Sequence, residues 1–320
     1  MDTYQSQHRI ETVIGIVAVM SLFLFSFWVL FFYRLPGNNA YWGALQDSGH
    51  SLLFTLFSFL FSHCLRRIKR TLSLRNTFII SFVVCLLFGA LVELIQSRIG
   101  RQASWSDFWL DTAGTLSGLL LFSAVSIRGR IRYALLLLAA IPLFISLFEP
   151  LTWKHAEIQR KKLFPSIANF DNFWLNKYVH SRYSGRLSFI KAPEEWEGNH
   201  SSVAKLDFRP GSWPGLYLVE VEKNWRGYQN FNFEVYNPSD QTLVLVLRIH
   251  DRLHNHKHSD RFNRTFHIAP GVHSYSVSLD DVEHAPKKRD MNMGMIHQVF
   301  FYMSRPKESH TLYFDNIALN

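Results

Sequence analysis

Cysteine is nearly absent: the 320 residues hold two, Cys64 and Cys85, both inside apolar runs. With none after residue 85, no disulfide framework holds the second half together. A short, cleavable leader core is missing too, because the first apolar run, Val13 to Tyr33, has the length of a spanning helix. There is no basic stripe interleaved with aromatics, so the net charge of +9 does not point to nucleic acid. Internal repeats of the kind that build transporters are also lacking.

Charge is scarce in the first 150 residues, which are mostly Leu, Phe, Ile and Val, whereas residues 151–320 are polar, aromatic and rich in His. The mean hydropathy of −0.01 averages these two halves. Five apolar segments are expected: Val13 to Tyr33, Ser51 to Leu65 (or a longer helix from near Ala40), Thr77 to Gln96, about Asp107 to Ile127, and Tyr133 to Phe148. The loop after the second carries Arg66, Arg67, Lys69, Arg70 and Arg75, and the loop after the fourth carries Arg128, Arg130 and Arg132. The positive-inside rule puts both loops and the N-terminus in the cytoplasm, and residues 151–320 outside. Arg98 and Arg101 run against that rule.

Ionisable residues interrupt these segments at one level. Asp47 and His50 start the second, Glu93 and Gln96 end the third, and Asp107 and Asp111 start the fourth, with Arg101 in the turn between. On the expected topology all of them lie at the outer leaflet. Charges at bilayer depth are costly and point to a site. Spacings of three and four residues place each pair on one helix face, and Gly114 and Gly118 extend the face of Asp107 and Asp111 as a GxxxG. Glu93 or Asp107 has the chemistry of a general base, Arg101 that of a phosphate clamp, and His50 with the carboxylates that of a hard-cation site. The alternative is a polar network that only locks the helices.

These blocks together resemble the VanZ-like family: Asp47-x-x-His50-x-x-x-Phe54, then Glu93-x-x-Gln96-x-x-x-x-Arg101, then Asp107-x-x-x-Asp111-x-x-Gly114-x-x-x-Gly118. The chain departs from that pattern at Asp111, where the family usually has Asn, and at Ser48, where Lys is common. The resemblance spans residues 40–125. It implies a bacterial envelope protein of the cytoplasmic membrane linked to glycopeptide (teicoplanin) resistance, with no agreed reaction.

From residue 164 the pattern becomes one of short alternating runs: GRLSFIKA, SVAKLDFRP, GLYLVEVE, QNFNFEVYN, LVLVLRIHD, RTFHIA, HSYSVSL, HQVFFYMS and TLYFDNIAL. Turn signals divide them, which predicts an all-β jelly roll or β-sandwich over residues 164–320. The expected organisation is therefore a helical membrane bundle over 1–150, a juxtamembrane linker over 151–163, and an outer β-domain. The runs from YQNFNFEVYNPS to YFDNI resemble carbohydrate-binding modules of the galactose-binding type. That resemblance implies an envelope glycan or lipid-linked saccharide as ligand and a structural calcium at Asp315. Trp225, Asn232, Arg248, Asp251 and Arg261 are the candidate stacking and polar residues for sugar. His250, His254, His256 and His258 read as a solvated loop, as do Glu194, Glu195 and Glu197.

Overall fold

The computed structural model describes residues 2–98 and 105–320. Five long helices come first: α1 (Asp2–Phe32), α2 (Ala40–Ile68), α3 (Leu74–Arg98), α4 (Trp105–Ser126) and α5 (Ile131–Leu163). All five are long and apolar enough to span a bilayer, which makes this a multi-pass membrane protein. The second helix takes the longer of the two expected forms. Asn39 starts it, its Oδ1 accepting from Trp42 N at 3.0 Å. Ser73 does the same for α3, with Asn76 N 3.1 Å from its hydroxyl. The fifth helix runs on through residues 151–163 without a break, carrying Pro142 and Pro150 inside it, so the expected linker is helical.

Small residues decide the packing of α2 on α4. A Cβ on Gly114 would overlap the Ser51 carbonyl, and one on Gly118 would overlap Ser58 and the Thr55 carbonyl. The GxxxG therefore serves a neighbour in the same chain. At this close approach Thr55 Oγ1 donates to Gly114 O at 3.1 Å and Ser58 Oγ to Thr115 O at 3.1 Å. Phe54, Phe57, Cys85, Phe88 and Val92 fill the adjoining space between α2 and α3.

The chain divides into two compact units, residues 1–154 and 155–320. The second is a sandwich of antiparallel sheets around one apolar core. Its strands are β1 (Ser166–Ala168), β2 (Val179–Arg182), β3 (Gly185–Lys191), β4 (Ser202–Phe208), β5 (Gly215–Leu218), β6 (Asn230–Asn237), β7 (Leu243–Asp251), β8 (Phe262–Ile268), β9 (Gly271–Ser278), β10 (Ile296–Tyr302) and β11 (His310–Leu319). One sheet has the order β3-β4-β11-β6-β9, with β1 also on β11; the other has the order β2-β5-β10-β7-β8. All nine alternating runs form strands. Their inward residues, such as Leu245, Leu247 and Ile249 on β7, lie buried between the sheets.

Candidate functional site

Within the bundle, α2, α3 and α4 bring His50, Glu93 and Asp111 together, with ligand-type atoms all within 4.8 Å of one another. His50 Nδ1 lies 3.2 Å from Asp111 Oδ1. All three are buried, as is Gln96, one turn beyond Glu93. Asp111 is 2 % exposed, and its Oδ2 has no hydrogen-bond partner among the described residues. Gly89 allows this proximity, since a Cβ there would sit 3.2 Å from Asp111 Oδ2. Asp107 is half-buried one turn before Asp111, Asp47 is exposed, and Arg101 lies outside the described residues. One imidazole with two carboxylates is a donor set for a hard divalent cation; with protons in place of a cation it is a hydrogen-bonded cluster.

The β-unit holds a second arrangement, on the outward face of the five-stranded sheet. Register carries one row of residues straight across it: His180 on β2, Tyr217 on β5, Phe300 on β10, Arg248 on β7 and Asn263 on β8. Phe300, 3 % exposed, is the floor, with Tyr217 at 6.0 Å edge-on and Tyr302 stacked at 5.1 Å. Arg182 covers the Tyr217 ring at 4.3 Å.

An exposed aromatic pair stands beside this row. Tyr183 and Trp213 are 61 % and 41 % exposed, their rings 6.2 Å apart, and Arg305 lies over Trp213 at 5.9 Å. All three have left-handed backbones, with φ of 56°, 56° and 48°. That region costs a non-glycine residue about 1–3 kcal/mol, and such outliers concentrate where a site needs them.

Arg248 is held from behind. Burial keeps the His254 imidazole below its ordinary range. The neutral ring donates from Nδ1 to the Asp260 carbonyl at 2.9 Å, leaving Nε2 to accept from Arg248 Nη2 at 3.4 Å. Burial, then the charges of Arg261 and Arg182, bring the Arg248 guanidinium down to about 10, so it remains cationic at neutral pH. Arg261 donates from Nε to Asn263 Oδ1 at 3.1 Å.

The other residues chosen from sequence take different places. Trp225 is 1 % exposed, stacked on Phe231 at 5.6 Å, with its indole N–H on the Glu222 carbonyl at 2.7 Å. A ring enclosed in this way packs the core and offers no plane to a sugar. Asn232 is half-buried on β6, in the other sheet. Asp251 is fully buried and bidentate on Arg289, at 2.6 and 2.8 Å, which makes it structural. Asp315 is buried too; Oδ2 accepts from Asn199 and Ser201, each at 2.8 Å, and Oδ1 from Asn316 N at 2.8 Å. Both carboxylate oxygens of Asp315, the residue expected at a calcium site, are thus occupied as acceptors within the chain. Of the four histidines, His250 and His254 are buried and hydrogen-bonded rather than solvated, with rings 4.4 Å apart; His256 and His258 are exposed. Glu194, Glu195 and Glu197 are exposed.

No curated protein matches the chain. Among solved structures, an exo-beta-agarase is similar at 16 % identity and TM-score 0.39, over 48 % of this chain and 25 % of its own. A family 11 carbohydrate-binding module from Clostridium thermocellum is similar at 11 % identity and TM-score 0.33, over 44 % of this chain and 86 % of its own. An α-L-arabinofuranosidase is similar at 8 % identity and TM-score 0.36, over 47 % and 25 %. The chain thus spans about a quarter of the length of the two enzymes. In the helical half, residues 2–127 match the family model described as VanZ/LLP1.

Proposed function

We propose that this protein is a membrane-embedded reader of envelope glycans: the β-unit holds a saccharide on the outward face of its five-stranded sheet, and the bundle supplies a polar site at the membrane surface. The observation that carries this reading is the Tyr183–Trp213 pair, exposed and conformationally strained beside a row of polar and aromatic side chains. Sugar rings present C–H faces to aromatic planes and hydroxyls to guanidinium and amide groups, and this face offers both.

In the bundle, His50, Glu93 and Asp111 form the polar site. Interhelical polar contacts contribute only about 1 kcal/mol each, a modest reason to bury three ionisable side chains. On the topology favoured by the basic loops, five crossings place this cluster and the exit of α5 at the same, outer side of the membrane. Such a protein in a bacterial cytoplasmic membrane would alter susceptibility to teicoplanin by acting on a lipid-linked wall intermediate.

The test uses the full chain in phosphatidylcholine nanodiscs against an array of bacterial envelope polysaccharides. Saturable binding, reduced at least tenfold by Trp213→Ala or Tyr183→Ala, is the expected result. A folded protein that binds nothing on the array would remove the reading and leave a non-catalytic scaffold.

A further inference from the structure

The arginines of the sheet face differ from the others in the β-unit. Arg289 is clamped between Asp251 and Asp260, Arg264 meets Asp281 at 2.6 Å, and Arg160 approaches Glu220 at 3.9 Å. Arg182, Arg248 and Arg261 have no carboxylate partner within 4.0 Å among the described residues. The strongest electrostatic influences on Arg248 come from two arginines and two tyrosines, Arg261, Tyr302, Arg182 and Tyr183. Like charges gathered on one face are costly, and among the described residues no carboxylate pairs with these three within 4.0 Å.

The fork of Arg248 is also incompletely used. Its Nε is buried with no hydrogen-bond partner among the described residues, while Nη2 is fixed by His254. Carboxylates and phosphates accept two parallel N–H bonds from such a fork, a geometry that an ammonium cannot reproduce. In the row next to Arg248, Gly215 stands between Arg182 and Tyr302 without a side chain, and Phe300 and Tyr302 pack against it so closely that a Cβ there would run into them.

We propose that the saccharide taken by this face is anionic, its carboxylate or phosphate bound by Arg248 with Arg182 and Arg261 on either side while Tyr183 and Trp213 stack on a sugar ring. This rests on the glycan-reading assignment and narrows its ligand class. His254 is a positioning residue in it: its Nδ1 is anchored on the Asp260 carbonyl, and it sets the direction of the Arg248 fork.

The experiment compares probes that differ only in charge. Full-length protein in phosphatidylcholine nanodiscs is titrated calorimetrically with a galacturonate hexamer and its methyl ester, and with a phosphomannan oligosaccharide and its dephosphorylated form. One acidic probe should bind at least tenfold more tightly than its neutral counterpart, and which of the two does so tells a carboxylate ligand from a phosphate one. Arg248→Gln and Arg182→Gln should each lower that affinity at least tenfold. Arg182 is exposed, so its variant keeps the fold intact. His254→Asn should weaken binding less than Arg248→Gln does and should narrow the gap between acidic and neutral probes. Lys287→Gln with Lys288→Gln, on an exposed segment elsewhere, should change nothing, which separates this site from general attraction of polyanions. Equal binding of acidic and neutral probes overturns the charge assignment and leaves the glycan reading standing. Binding insensitive to both Arg248 and Trp213 removes both, and failure of every probe to bind a folded protein overturns the charge assignment, with the polysaccharide array deciding the glycan reading.

Discussion

Replacing Arg289 by Met should destabilise the β-unit strongly. Arg289 ties the end of β7 to the turn holding His254 and Asp260: it donates to both oxygens of Asp251, and through Nε and Nη2 to Asp260 at 2.8 and 3.2 Å. The Asp251 side chain is 0 % exposed, so Met would leave a carboxylate buried without its counter-charge. Breaking such a pair costs about 3–5 kcal/mol. Backbone N–H groups of Leu253 and Asn292 still donate to Asp251, at 3.1 and 2.8 Å, which puts the expectation near ~3 kcal/mol. For a unit of this size, residues 155–320, that is a fall of about 6–12 °C in Tm. The assay is thermal unfolding of the full chain in nanodiscs, followed by tryptophan fluorescence. Adding Asp251→Asn to Arg289→Met should recover part of the loss by removing the stranded charge. A fall under about 2 °C, or no recovery in the double variant, would refute the electrostatic assignment.

Acid should weaken the same region in two stages. Burial pushes the His250 imidazole down to about 4, from 6.5, so between these values the unfolded chain binds a proton that the folded one refuses, and stability falls with pH by up to about 3 kcal/mol. His250→Gln should flatten that limb in a pH series of unfolding curves. Burial raises the Asp251 carboxyl, but the Arg289 hydrogen bonds more than offset this and leave it below its ordinary 3.8; its stabilisation is present above that value and is lost as pH falls through the lower folded value. Arg289→Met should therefore move the acid unfolding midpoint upward. In the bundle, Gly114→Leu should force α2 from α4 and cost at least about 1–3 kcal/mol, read as loss of thermal stability in detergent. His50→Ala should destabilise the bundle by about 2 kcal/mol by leaving Asp111 Oδ1 without its imidazole, and His50→Ala with Asp111→Asn should recover most of it.

Periodicity made most of the fold readable from the sequence. The apolar segments had spanning length, and the nine alternating runs had period two, because in both cases one local pattern meets one environment. The strands that escaped notice are β1 and β2, of three and four residues; each pairs with a single strand, and β2 carries the exposed His180, Ser181 and Arg182. The bundle cluster was legible too, since His50, Glu93 and Asp111 are charges within apolar helices. The sheet-face site was only half legible. Arg248 and Arg261 stood out as polar candidates, but Tyr217 and Phe300 reach Arg248 through register across β5, β10 and β7, and Tyr183 meets Trp213 between turns at the ends of β2 and β5, which no local pattern encodes. Trp225 misled because a tryptophan between Asn224 and Arg226 looks like a surface aromatic, while Phe231 draws it into the core. A tyrosine and a tryptophan each flanked by a small residue, Ser184 after Tyr183 and Ser212 before Trp213, is a turn-borne aromatic signal that could have found the exposed pair.

The central claim is best tested by a structure of the full chain bound to the saccharide that the array selects. The account predicts a sugar ring against Tyr183 and Trp213, with an acidic group within hydrogen-bond distance of Arg248. A saccharide seated on the six-stranded sheet, or one bound with the Tyr183–Trp213 face empty, would contradict it.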